Sequence, residues 1–342
     1  MMRLPLFAFR APSTLEEAAR ILHGEGPSAM PLAGGTDLLP NMKRRQQVPR
    51  MLLSLRNIDA LQAIEFGDSG VRLGACLTLA DIASDPRFRN GTTALAQAAA
   101  SVATPHLRNM ATLGGNLCLD TRCNYYDQNY EWRKAINFCM KKDGVTCWVA
   151  PSSPKCMAVS STDTAPALMA LGARVRLVSE SGERVIALAD LYNNDGMNYL
   201  HRKPDEILTE VVLDSLHGWH STYWKLRRRG SFDFPVLSVA AAIRFGQRRI
   251  VEDARIVIGS AASRPLVAAE SAGFLVGRAL TDDTIAEVAA LAARTAKPLD
   301  NTDFDMSWRK KVTGQFVKYA LRELRGDDVA GERSAITRMP PA

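Results

Sequence analysis

Two glycine pairs constrain this chain more than any other feature. Ala33-Gly34-Gly35-Thr36-Asp37 and Ala111-Thr112-Leu113-Gly114-Gly115-Asn116 lie 80 residues apart, and the first directly follows the apolar run Ala29-Met30-Pro31-Leu32. A glycine pair at the end of an apolar strand makes φ > 0 accessible and removes the Cβ atoms, so backbone N–H groups can approach phosphate oxygens. Thr36 adds a hydroxyl donor. One such turn is ordinary strand punctuation; a second shifts the balance toward a phosphate-bearing ligand. Neither turn fits G-x-G-x-x-G or G-x-x-x-x-G-K-[ST], so a Rossmann fingerprint and a P-loop are both unsupported and the phosphates must be held another way.

The 342 residues exceed one ordinary domain, and 46% hydrophobic with 23% charged residues is the balance of a soluble globular chain of two or three packed domains. No stretch approaches the roughly 18 to 20 uninterrupted apolar residues that a membrane helix needs. The start Met1-Met2-Arg3-Leu4-Pro5 lacks the apolar centre of a signal peptide, so the cytoplasm is the expected compartment. The formal charge of +7 comes from 43 basic residues scattered among 36 acidic ones. No basic stripe with interleaved aromatics is formed, which argues against a nucleic-acid partner. Lys43-Arg44-Arg45 and Lys225-Leu226-Arg227-Arg228-Arg229 are the exceptions, each placed beside a segment expected to face a pyrophosphate or a partner.

Periodicity divides the chain further. Thr14 caps an amphipathic helix over Leu15–Leu22, which leads to the first glycine turn, so residues 1–55 form a small α/β unit. Residues 56–215 read as a second, α+β unit. It has strands at Met51 to Leu55 (shared with the first unit's end) and Val71 to Ala75, a helix over Thr93 to Val102, a helix at Ala165 to Leu171, and strands at Ala173 to Ser179 and Glu206 to Leu213. A third unit, 220–326, is strand-rich at Leu237 to Phe245 and Ala254 to Gly259, then helical around Ile285 to Thr295 and Trp308 to Leu324. Residues 327–342 read as a flexible tail.

Cysteine placement is more telling than cysteine number. Five of six (Cys118, Cys123, Cys139, Cys147 and Cys156) fall within 39 residues, while Cys76 stands alone. A reducing compartment favours a metal or cluster site over disulfides. Cys123, Cys139, Cys147 and Cys156 are separated by 15, 7 and 8 residues. Four thiolates suit tetrahedral zinc or a [4Fe-4S] cluster, and scattered buried thiols are the plain alternative. No Cys-x-x-Cys knuckle of the zinc-ribbon kind occurs, and Tyr125, Tyr126, Trp132, Phe138 and Trp148 offer apolar bulk, which leans toward iron–sulfur. The five histidines show no metal pairing on one helix face; His106 precedes the second glycine turn and reads equally as lining it or as a solvated loop histidine. No nucleophile triad or carboxylate pair is legible, so no catalytic residue is assigned to this chain.

The segments Pro31-Leu32-Ala33-Gly34-Gly35-Thr36-Asp37 and Arg108 to Asn116 resemble the paired flavin loops of the FAD subunits of the xanthine dehydrogenase family. Asp163-Thr164-Ala165-Pro166-Ala167-Leu168, Glu206-Ile207-Leu208 and Lys225 through Asp233-Phe234 resemble further family segments in order and spacing, and the likeness covers roughly residues 5 to 325. It implies an α+β architecture: a vanillyl-alcohol oxidase (PCMH-type) FAD-binding fold in two subdomains, followed by a C-terminal α+β domain like that of CO dehydrogenase flavoproteins. By carry-over, Leu32, Ala33, Gly34, Gly35, Thr36, Asp37 and Leu38, with Thr112, Leu113, Gly114, Gly115 and Asn116, would hold the pyrophosphate and ribityl of FAD. Asp163, Leu208 and Lys225 would lie nearer the ribityl or isoalloxazine. Taken singly, these three read as a helix N-cap, a strand core position and a solvated cation.

One departure from the family is large. Its members pass from the Gly-Gly-Asn turn to the Asp-x-x-Pro segment in under ten residues, whereas 46 residues separate Asn116 from Asp163 here, an insertion of about forty residues over about 118–160. With Cys118-Leu119-Asp120-Thr121-Arg122-Cys123-Asn124-Tyr125-Tyr126, this four-cysteine insertion resembles that of the β subunits of 4-hydroxybenzoyl-CoA reductases. The resemblance implies a [4Fe-4S] cluster on Cys123, Cys139, Cys147 and Cys156 that takes electrons from a low-potential donor such as ferredoxin. It also implies relay through FAD to a small subunit with two [2Fe-2S] centres and a large molybdopterin-binding subunit, in a dimer of heterotrimers. Other expectations are an FAD subunit of another aromatic or heteroaromatic dehydrogenase, a stand-alone flavin oxidase, and a zinc-stabilised scaffold without FAD.

Overall fold

The computed structural model describes residues 3–89 and 91–336. The first unit is a parallel sheet of β1 (Ala8–Arg10), β2 (Ala29–Leu32) and β3 (Met51–Ser54) in the order β1-β3-β2, with Ala8 and Ala29 both in register with Met51. Parallel strands need a crossover, and α1 (Leu15–Glu25) supplies it between β1 and β2. Thr14 Oγ1 accepts from the Glu17 N–H at 3.2 Å, and Ala18, Ala19 and Leu22 fall on the buried face, as the helix period requires. The first glycine turn then runs into α2 (Leu38–Lys43).

The second unit is an antiparallel sheet ordered β4-β5-β8-β6-β7. Its strands are β4 (Ile64–Gly67), β5 (Gly70–Gly74), β6 (Arg174–Ser179), β7 (Gly182–Ala187) and β8 (Ile207–Asp214). Around them pack α3 (Leu79–Ser84), α4 (Thr93–Ser101), α5 (Pro105–Arg108), α6 (Leu113–Leu117) and α8 (Thr164–Ala170), while α7 (Tyr130–Ala135) lies in the insertion. The edge strands β4 and β7 escape sequence reading because they are short and most of their residues are exposed, with no buried face to impose the alternation that marks a strand.

The third unit is an antiparallel sheet, β12-β11-β10-β9, of β9 (Trp219–Leu226), β10 (Leu237–Phe245), β11 (Val251–Gly259) and β12 (Leu266–Val267). α9 (Ala269–Leu275), α10 (Asp282–Thr295) and α11 (Met306–Arg325) complete the layer on one face. Strand alternation divides the sheet cleanly: Val239, Ala241 and Ile243 join the helical core, whereas Ala240 and Ala242 pack into the core of the second unit. Small residues allow that contact to be close, and a Cβ at Gly259 would fall 2.8 Å from Pro166 Cγ of α8. The tail read as flexible from 327 is ordered over its first part. α12 (Ala330–Ile336) buries Ile336, and Arg333 pairs with Glu323 at 2.6 Å. That ion pair joins residues ten apart across a turn, which local composition does not announce; residues 337–342 lie outside the described residues.

The insertion leaves after α6 and returns before α8 through a closed neck, where Arg122 and Val159 exchange N–H···O bonds of 2.8 and 2.7 Å. It leans on the third unit, with Asn124 N donating to Asn301 O at 3.0 Å and Asn301 Nδ2 to Met157 O at 2.6 Å. Among the described residues no helix is long and apolar enough to cross a membrane.

Arg309 anchors α11 to the loops beneath it. Its guanidinium is 1% exposed and donates to the carbonyls of Val236, Leu299 and Ser260, with burial lowering its pKa to about 10. Arg309→Met is expected to cost about 3–5 kcal/mol of stability by stranding those carbonyls, read as a lower urea midpoint at unchanged slope.

Candidate functional site

Both glycine turns, α2, β8 and the base of the insertion enclose one cleft with a cavity volume of about 440 Å³, within the usual range for small-molecule sites. The glycines make it by letting backbone pass backbone. A Cβ at Gly34 would fall 1.7 Å from the Met110 carbonyl oxygen, and one at Gly114 would fall 2.9 Å from the Ala75 carbonyl oxygen. Gly35 has φ +71°, the left-handed region where a side chain is strained. Thus Gly34 and Gly114 bring the chain segments together, a role distinct from the phosphate approach inferred from sequence. The N–H groups of Gly34, Gly35 and Thr36 have no acceptor among the described residues, and three successive free donors beside a cleft suit an anion.

The second turn is clamped in place by Leu79 N to Ala111 O at 2.9 Å, Leu113 N to Leu77 O at 2.9 Å and Gly114 N to Ala75 O at 2.8 Å. Thr112 caps α6, its Oγ1 accepting from Gly115 N at 3.1 Å. Asn116 Oδ1 accepts from Thr162 Oγ1, Thr164 N and Thr164 Oγ1 at 2.8, 3.0 and 2.7 Å, so the turn is bound to the start of α8 across the whole insertion.

Of the residues singled out from sequence, Leu32, Ala33, Gly34, Gly35, Thr36, Asp37, Leu38, Thr112, Gly114, Gly115, Asn116, Asp163 and Leu208 line this cleft. Leu113 and Lys225 do not. Leu113 is fully buried in the core, on the side of α6 away from the cleft lining. Lys225 lies beneath it: Nζ donates to Asp163 Oδ2 and to Ser101 O, each at 3.0 Å. Tyr223, two residues earlier on the same face of β9, donates its hydroxyl to Asp163 Oδ1 at 2.6 Å. Burial holds the Lys225 ammonium below its ordinary pKa against the opposing pull of Asp163, and burial with the Asp163 charge raises that of Tyr223. Asp163 is therefore neither a helix cap by side chain nor a free carboxylate, and Lys225 is not a solvated cation. His106 is exposed and outside the lining.

Several lining residues were not legible in sequence. Asp37 accepts from Arg122, from Asn41 Nδ2 at 3.2 Å and from Asp120 N at 3.3 Å, so the insertion's base forms one wall. Arg122 is further covered by Phe234, whose ring centroid is 4.5 Å from its guanidinium carbon. Arg44, from the basic run noted in sequence, lines the cleft and pairs with Asp127 at 2.9 Å. Cys76 and Cys118 line it too. The contacts of Asp37 with Arg122 and Asp120 and of Arg44 with Asp127 span more than eighty residues of sequence, and no local pattern signals them.

The other four cysteines are free thiols buried beside this wall. Cys123, Cys139 and Cys156 share a pocket with Tyr126 and Ala158, and Cys147 is close enough to act electrostatically on Cys123 and Cys156. Burial pushes the Cys123 thiol up to about 12 and the Cys156 thiol to about 11. Among the described residues no group of three or more His, Cys, Asp or Glu is arranged to hold a metal ion. Elsewhere in the insertion Arg133 is 1% exposed and pairs with Asp143 at 3.8 Å, while its Nε and Nη1 have no hydrogen-bond acceptor among the described residues.

Comparison with known proteins agrees with this architecture. A sequence profile of the FAD binding domain in molybdopterin dehydrogenase matches residues 5–213, and one of the CO dehydrogenase flavoprotein C-terminal domain matches residues 221–324. The chain is 33% identical over 269 residues to the aldehyde oxidoreductase FAD-binding subunit PaoB of Escherichia coli (strain K12), covering 76% of this chain and 82% of that protein. It is 28% identical over 305 residues to the nicotinate dehydrogenase FAD-subunit of Eubacterium barkeri, covering 88% of each. Carbon monoxide dehydrogenase from Hydrogenophaga pseudoflava has a chain that superposes with a TM-score of 0.77 at 25% identity, covering 94% of this chain and 98% of that one.

The loop contact at Gly34 is testable in isolation. Gly34→Ala drives a methyl group into the Met110 carbonyl, and the purified variant is expected to lose most of its FAD, read from flavin absorbance per protein, while far-UV circular dichroism stays close to that of the parent. The profile over the domain that holds both glycine turns and their cleft, with the second profile over the C-terminal domain, leads to one conclusion: this chain belongs to the family of FAD-binding medium subunits of the xanthine dehydrogenase and CO dehydrogenase type.

Proposed function

We propose that this chain is the electron-transfer subunit of a molybdenum enzyme that reductively dehydroxylates 4-hydroxybenzoyl-CoA to benzoyl-CoA, and that it carries a [4Fe-4S] cluster in addition to FAD. FAD-binding subunits of molybdenum hydroxylase-type oxidoreductases are its relatives. The observation that carries the finer reading is the gathering of Cys123, Cys139, Cys147 and Cys156, unpaired and buried, within an insertion that also walls the cleft. FAD, when bound, supplies exchange between one-electron and two-electron partners. The free N–H groups of Gly34, Gly35 and Thr36, with the Thr112–Asn116 turn, would hold its phosphates, and Asp163, oriented by Lys225 and Tyr223, would face it from below.

In this reading the cluster's ligands are Cys123, Cys139, Cys147 and Cys156. Removing a phenolic hydroxyl from an activated ring demands strongly reducing electrons, and iron–sulfur potentials reach that range. The chain would take electrons from ferredoxin and pass them to a small subunit with two [2Fe-2S] centres and a large molybdopterin subunit, within a dimer of heterotrimers in the cytoplasm. The names of the relatives favour a second reading, an FAD subunit of an oxidative dehydrogenase acting on another aromatic or heteroaromatic substrate.

Metal analysis and the visible spectrum separate these readings. The purified complex is expected to hold about four irons per flavin beyond those of its small subunit, the content of one [4Fe-4S] site. Cys139→Ser should lose that iron and reduction by ferredoxin while keeping FAD. One zinc and no such iron, or ferredoxin-driven activity untouched by Cys139→Ser, would sink the proposal.

A further inference from the structure

Lys141 is a buried cation placed between the thiol pocket and the flavin cleft. Its side chain is 6% exposed, and Nζ donates to Asp120 Oδ1 at 2.8 Å, Thr121 Oγ1 at 2.5 Å and Gly196 O at 2.7 Å, which uses all three ammonium hydrogens. The ammonium also stands 4.9 Å from the ring centroid of Tyr126 and 5.3 Å from that of Tyr199.

Each neighbour leads to one of the two sites. Gly196 N donates to Cys156 O at 2.8 Å, and a Cβ at Gly196 would fall 2.9 Å from Cys156 Sγ, so the carbonyl that Lys141 holds belongs to a residue packed on that sulfur. Tyr126 shares the pocket of Cys123, Cys139 and Cys156. On the other side, Asp120 and Tyr199 line the cleft. Asp120 is the carboxylate paired with Lys141 among the described residues, and it also accepts from Tyr126 Oη at 3.2 Å and Gln47 Nε2 at 3.3 Å, which holds it on the cleft side.

A fixed positive charge in a low-dielectric interior favours any state of its neighbours that carries more negative charge. We infer that Lys141 is a positioning residue that couples the two sites electrostatically, raising the reduction potential of the group held by the cysteines and of the flavin together. Its charge lowers the cost of adding an electron on either side, and its three hydrogen bonds fix the ammonium in place, since no ammonium hydrogen is left to swing to another acceptor. The cysteine side of this inference rests on the cluster assignment above; the cleft side rests on the FAD-binding family alone.

Redox titration of the purified complex tests it. Lys141→Gln is expected to move the midpoint potentials of FAD and of the cysteine-bound iron to more negative values, with the reduced-to-oxidised ratio at fixed potential falling about tenfold, about 59 mV for a one-electron couple. FAD and iron contents should stay unchanged. Lys141→Arg should restore both potentials, and Lys142→Gln, at the more exposed neighbouring ammonium, should move neither. Should Lys141→Gln not accumulate, Asp120→Asn examines the same link from its counter-charge and should shift both potentials in the positive direction. Unmoved potentials in Lys141→Gln and Asp120→Asn, with cofactors retained, overturn the inference. Protein with FAD but without the extra iron overturns the cluster assignment instead, and the flavin potential alone then decides the role of Lys141.

Discussion

Asp163 is a carboxylate taken out of water, 2% exposed as a residue, and three side chains from two parts of the molecule converge to satisfy it. Lys225 and Tyr223 come from β9 of the third domain, and Ser101 from α4 adds a longer contact at 3.4 Å. A buried ion pair is weak evidence of net stability, but a partly dismantled one is costly, because an uncompensated charge remains inside. The consequence is geometric. The flavin domain cannot present Asp163 to the cleft in this orientation unless the third domain is docked, and the strand alternation that sends Trp224 and Leu226 into the helical core sends Tyr223 and Lys225 toward Asp163.

The glycines act on the same principle of close approach. Gly34 lets the first turn lie against the Met110 backbone, and Gly114 lets the second lie against Ala75. The two turns belong to different sheets, so the cleft exists only where their backbones meet. Asn116 then ties the second turn to Thr162 and Thr164, on the far side of an insertion of about forty residues. A long excursion between Asn116 and Asp163 is tolerated because its ends are pinned together by Arg122 and Val159; lengthening a loop whose ends are already fixed adds little closure entropy.

The insertion is a wall of the cleft as well as a carrier of thiols. Arg122 binds Asp37 and Asp127, Lys141 binds Asp120, and Arg133 is buried with two nitrogens lacking acceptors. Cations at this depth are expensive unless negative charge accompanies them. Around Arg122 and Lys141 the carboxylates provide it. Around Arg133 Asp143 does so at a longer 3.8 Å, and two of its guanidinium nitrogens keep no hydrogen-bond acceptor among the described residues.

Much of the architecture was legible in the residues themselves. Thr14, the apolar spacing of α1 and the long helices near 285 and 308 are local signals, because capping and periodicity act within one or two turns. The glycine pairs, the separated cysteines and the length between Asn116 and Asp163 were equally plain. Tertiary structure decided the rest: that Lys225 braces Asp163 without lining the cleft, that Leu113 points to the core, that Arg122 and Asp120 complete the ligand wall, and that the first part of the tail folds back onto Glu323. Each of these depends on which face of a strand or helix turns inward once the chain packs, or on a charge finding its partner outside its own local stretch. The sequence by itself determined which groups were available, since covalent order sets turns, caps and spacing. Only the packed chain decided which of them meet, because the cost of burying a charge is settled by its neighbours in space.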